Sequence, residues 1–192
     1  MGECANLPMP EVVDFLMLES GKHEHLIEEA LKYDPNAGCA IEDLQRIVQN
    51  TFKLYSSVEK LRESYSNWVM IHSNRVYDSI KGLISLNCLP EPNLFPGLPK
   101  NSKEAMVAGY LYVFHVFQIH THALGNIIRS FEDLDGSLHR LFCSTQQDLI
   151  IRRQFLERIR CEFNSSDRED LATGVELAFE EIGALLLKKS QY

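Results

Sequence analysis

Three histidines, His115, His120 and His122, stand inside the most apolar run of the chain, AGYLYVFHVFQIHTHALG from Ala108 to Gly125. Imidazoles crowded this way raise metal or haem ligation as the first chemistry to consider. On a helix each residue turns about 100° and rises about 1.5 Å, so His115 and His122 share a face but stand roughly 10 Å apart. His120 points to nearly the opposite side from His122. Helical metal ligands sit three or four residues apart, as in HExxH, and no pair of these three does. The spacing therefore excludes a self-contained metal site on this helix. One histidine can still join ligands from elsewhere, with His23, His25, His72 and His139 as candidates and with Glu19–His23 and His139–Cys143 four residues apart. The expectation is a hydrogen-bonded core histidine at His115, with His120 and His122 at the wetter end of the helix.

Other reactive pairings are equally thin. Cys143 with His139 lacks a third group to orient a thiolate pair. The acidic pairs Glu28–Glu29, Asp133–Asp135 and Glu180–Glu181 read as solvated surface, because like charges repel and prefer water. Neither GxGxxG, GxxxxGK[ST] nor GxSxG occurs, so nucleotide loops and nucleophile elbows lack their backbone geometry. No catalytic residue, cofactor or metal is assigned. Arg152, Arg153, Arg158 and Arg160 form the one concentrated positive patch. Arg153, Glu157 and Arg160 fall along one side of a helix, where ion pairs absorb part of the charge. The remainder suits an acidic partner segment.

Asn67-Trp68 in "SNWVM", with Leu61 upstream, resembles the NWG element of Bcl-2-like proteins. Val69 and Met70 stand where glycine and arginine would follow, and no second motif of that family appears, so no family is assigned. The net charge of −8, from 19 Lys+Arg against 27 Asp+Glu, disfavours the phosphate backbone of nucleic acids. Five scattered cysteines without a CxxC argue against a disulfide framework. With no basic leader before an apolar core at the start, the expected compartment is cytoplasm or nucleus.

The elements that hold these side chains are read from apolar spacing of three and four, the mark of amphipathic helices. Pro10 suits the first position of a helix whose apolar side carries Val12, Val13, Phe15, Leu16 and Leu18. Leu26, Ile27, Ala30 and Leu31 follow beyond Gly21, and "DPNAG" makes a turn. From Ile41 the rhythm Leu44, Val48, Phe52 or Thr51, Tyr55, Val58, Leu61, Tyr65, Trp68 runs on, with a break expected at "ESYSNW", and continues through His72, Val76, Ile80 and Leu83. Four prolines in "NCLPEPNLFPGLPKN" forbid regular helix, while Leu94, Phe95 and Leu98 suggest a loop packed onto the body. Ser102 is the expected cap of a helix to about Phe131; being apolar all round from Met106 to Ile119, it is read as central to the bundle. That run is too short and interrupted for a membrane span. After "DLDGS" and a short helical piece at Leu138–Phe142, a helix capped by Ser144 or Thr145 buries Leu149, Ile150, Phe155, Leu156, Ile159 and Phe163. The last helix, capped by Ser165 or Ser166, buries Leu171, Val175, Leu177, Ala178, Ile182, Leu185 and Leu186. Asn164-Ser165-Ser166 fits a glycosylation sequon but reads as a helix cap.

The predicted fold is all-α, a bundle of about six to eight helices with an ordered Pro-rich loop near 87–101, over one domain 1–192 that 87–101 could subdivide. A core without a catalytic set points to a non-catalytic interaction or dimerisation domain, a scaffold or adaptor binding a partner segment. Leu94, Phe95, Leu98, Tyr110, Phe117, Arg152, Arg153 and Arg160 are its candidate contact residues, and a homodimer is the expected assembly. The alternative is a helical carrier enclosing a lipid, haem or other apolar ligand beside His115 or His72. An enzyme with a site assembled from distant helices ranks third.

Overall fold

The elements follow from the spacing of apolar residues and from local caps. The computed structural model of the chain describes residues 10–34, 40–62, 64–69, 97–129 and 146–187. Among them all regular structure is helical: α1 (Pro10–Gly21), α2 (Glu24–Ala30), α3 (Ala40–Leu61), α4 (Ser66–Val69), α5 (Glu104–Arg129), α6 (Gln146–Glu162) and α7 (Arg168–Leu187), with a 3-10 turn at Ser165–Asp167. Pro10 opens α1, where its missing N–H costs no hydrogen bond. The long ridge from Ile41 breaks where expected, and Trp68 is carried on the one-turn α4. The positions at 70–96 and 130–145, which hold His72, Leu94, Phe95, His139, Cys143 and the 138–142 piece, lie outside the described residues.

The core is one continuous cluster to which every helix with described side chains contributes. At its centre runs α5, buried at Ala105 and from Val107 to Gln118. No helix among the described residues is long and apolar enough to cross a membrane. The partner of α5 is α7, and the two meet backbone to backbone. A Cβ on Gly109 would stand 2.0 Å from the Leu171 carbonyl oxygen, and one on Gly174 would stand 2.0 Å from that of Met106. No other residue type fits either place without parting the helices. Lys103 and Asp170, 2.8 Å apart, pair the starts of the same two helices on the surface.

Three expectations need correction. Leu149 and Ile150 lie outward, 62% and 45% exposed, while Phe155 and Ile159 of the same helix are buried. At 100° per residue Leu149 stands about 120° from Phe155, off the buried stripe. Leu18 is likewise 71% exposed, about 120° around α1 from Val12. The cap before α7 is Asn164, whose side chain accepts from the Ser166 N–H while Asp167 accepts from the Asn164 N–H. The sequon asparagine is thus a capping residue, and neither serine is. Ser102 donates to the Pro99 carbonyl at 2.8 Å, closing a turn ahead of α5.

Trp68 fixes the short α4 to α6. It is 1% exposed, stacks on Phe163 at 5.4 Å and meets Phe155 edge-on at 6.0 Å. The Arg158 guanidinium lies 4.0 Å over its ring and donates to the Asn67 carbonyl. Arg158 is therefore engaged in holding α4, as a cation over an aromatic face.

Candidate functional site

The histidine run resolves first. His115 is 4% exposed with its ring 4.4 Å from that of Phe155, a core position as expected. His120 Nε2 lies 2.7 Å from Glu24 Oε1 and ties α5 to α2. His115 and His122 share a face, as their seven-residue spacing requires, and with Asp148 and Arg152 they line a cavity of about 30 Å³. That is room for one water and far below what haem or a lipid needs. No group of three or more His, Cys, Asp or Glu able to hold a metal occurs among the described residues.

A different polar centre sits on α7. Glu181, read from the sequence as solvated surface, is 8% exposed. The reason is register: positions 174, 178, 181 and 185 make one stripe facing α5. Tyr110 Oη donates to its carboxylate at 2.6 Å and the Gly97 N–H at 3.0 Å. Gly97 holds φ +70, a left-handed conformation that suits glycine. The clasp seats the end of the Pro-rich segment, and Leu98 beside it is buried at 7%. Burial pushes the Glu181 carboxyl above its ordinary value, against hydrogen bonds from Tyr110, Ser57 and Gly97 and the charge of Lys60. Burial, then the Glu181 charge, hold the Tyr110 phenol well above its ordinary value, so it remains a donor.

Among the described residues, the opposite face of α7 is open. A groove of about 590 Å³ runs between this helix and α2, with His23 and Leu26 on one wall and Phe179, Gly183, Ala184 and Leu186 on the other. The His23 ring lies 5.3 Å from that of Phe179. Gly183 and Ala184 make a notch: a Cβ on Gly183 would meet nothing within 4 Å. Glu176 and Glu180, one turn apart and exposed, form the acidic edge. From position 176 to 186 the groove follows about 15 Å of helix. It can bury two or three apolar side chains and pair with a basic group at its edge.

Of the expected contact residues, Tyr110 and Phe117 are 0% exposed. They are core side chains of α5 and present no surface to a partner, because α5 is wrapped by its neighbours. Leu98 is likewise packed inside. Arg160 pairs with Glu157 at 2.8 Å, as the spacing implied. Arg153 remains exposed, and Arg152 lines the small cavity beside His122. None of these residues reaches the groove. Its signal in sequence was faint: Leu186, expected inside the last helix, lines the groove, and Phe179, Gly183 and Ala184 carry no motif that marks a site. Comparison with protein families, curated proteins and solved structures found no match, so the geometry alone carries the functional reading.

Proposed function

We propose that this chain is a non-catalytic helical interaction module that holds a short segment of a protein partner in the groove between α2 and α7. The observation that carries the reading is an apolar trough left open, among the described residues, beside a central helix that is buried from Val107 to Gln118. Helix-in-groove docking uses such a trough, with apolar anchors spaced at three and four residues. The acidic edge at Glu176 and Glu180 favours an amphipathic helix with Lys or Arg along one side. Charge complementarity of that kind sets orientation and discriminates among partners.

A carrier of a small apolar ligand is the second reading, since the volume falls within the range of small-molecule pockets. Among the described residues such a ligand fits this groove, the cavity beside His115 being only about 30 Å³. The two separate with one probe pair: a helical peptide of about twelve residues, enough to span roughly 15 Å, with a leucine face and either a lysine or a glutamate edge. The lysine-edged peptide should bind at least tenfold more tightly, a difference of about 1.4 kcal/mol. Gly183→Phe should fill the notch and abolish that preference without lowering the melting temperature. Equal binding of both peptides, or undiminished binding to Gly183→Phe, would count against the docking reading.

A further inference from the structure

We propose that the occupant of this groove is the outward face of α6 from a second copy of the chain, a step that rests on the docking reading above. Among the described residues, the groove leaves an apolar trough unfilled and α6 leaves an apolar ridge uncovered. Leu149 and Ile150 are 62% and 45% exposed, and Ile119 of α5 beside them is 38% exposed. Single exposed apolar residues need no explanation, but a contiguous group marks a contact surface.

Charge selects the pairing. The ridge carries Arg153, one turn beyond Leu149, exposed and without an ion pair among the described residues. Arg158 and Arg160 on the same helix are paired with Glu162 and Glu157, which leaves Arg153 for a partner. The groove edge carries Glu176 and Glu180, again without an ion pair among the described residues. Among the described residues, the single uncompensated cation of the ridge, Arg153, is thus opposite in sign to the two carboxylates that stand one turn apart at the groove edge. In a chain of net charge −8, an exposed Arg153 flanked by apolar side chains is drawn to that acidic edge.

The two surfaces share no residue. The contact is therefore heterologous, the groove of one copy taking the ridge of another. Charged edges of this kind are screened by salt, so association weakens as ionic strength rises.

Sedimentation of three samples tests it. One variant carries Glu176→Lys with Glu180→Lys and has a spoiled groove with an intact ridge. The other carries Leu149→Ser with Arg153→Glu and has a spoiled ridge with an intact groove. All four positions are exposed, and circular dichroism checks that both variants keep the fold. The wild type should self-associate at high micromolar concentration, each variant alone should be monomeric, and an equimolar mixture should form one-to-one pairs. A monomeric wild type, a variant that associates as the wild type does, or a mixture that stays monomeric overturns the proposal. The ridge variant retains the groove, so its titration with the lysine-edged peptide judges the docking reading separately. Binding there beside a monomeric wild type would sink the self-contact and leave the docking reading standing.

Discussion

Two glycines on one helix have opposite surroundings. Gly174 lies against the Met106 carbonyl oxygen of α5, with 2.0 Å where a Cβ would go, while Gly183, two and a half turns on, has open space. The first is absent a side chain because two backbones meet there. The second leaves a notch in a groove. One face of α7 is spent on holding the bundle closed, with Leu171, Val175, Ala178 and Ile182 at 0–1% exposure, and the other faces solvent with Glu176, Glu180 and Gly183. The same residue type means a constraint in one place and a vacancy in the other, and only the neighbouring helix decides which.

The strongest way to break this contrast is to add one methyl group to each glycine. Gly174→Ala or Gly109→Ala should cost roughly 3 kcal/mol or more, because the atom in the way is backbone and the helices must separate. Thermal unfolding reads it directly, and a loss below about 1 kcal/mol would mean the helices are not in backbone contact. On the side of α5 turned to α6, His115→Leu should change stability by no more than about 2 kcal/mol in either direction. A larger loss would mean His115 has a role that its packing on Phe155 does not supply. Gly183→Ala should act in the other sense and stabilise by about 0.5–1 kcal/mol, from better helix propensity in open space. Destabilisation there would show the notch to be filled.

The smallest effect concerns Glu181, on the sealed face. A carboxyl whose folded value is raised contributes stability that is present below its unfolded value and lost as pH rises through the folded value. Burial is the cause, and Tyr110, Ser57, Lys60 and the Gly97 N–H are the groups that face it. Glu181→Gln keeps an acceptor for Gly97 and removes the ionisation. The variant should therefore gain on the wild type as pH rises from about 4.5 toward neutrality, with the two curves parallel at still lower pH. Denaturant unfolding across that range checks it. A difference that stays constant with pH would contradict the raised carboxyl.

Much of this architecture is legible in the sequence because it is local. Pro10, the rhythm of α3 and the break before Ser66 are set by neighbours within a turn or two. The unbroken apolar surface of α5 announces a helix enclosed by others. What escapes is long-range. Glu181 meets Tyr110 and Gly97, 71 and 84 residues away, and a pair of adjacent glutamates gives no hint that α7 turns one inward. Its register with 174, 178 and 185 was the available signal. Leu149 and Leu18 match a core in residue type but stand off the buried stripes of their helices in angle. The candidate site was the least legible part, since a groove is made by what two helices leave between them.

The most direct test of the groove is a methyl-resolved NMR titration of dilute protein with the lysine-edged peptide. Saturable shifts are expected at Leu26, Ala184 and Leu186, with Leu171, Val175 and Ala178 on the sealed face unmoved. Shifts absent from the first group, or centred on Leu149 and Ile150, would contradict it.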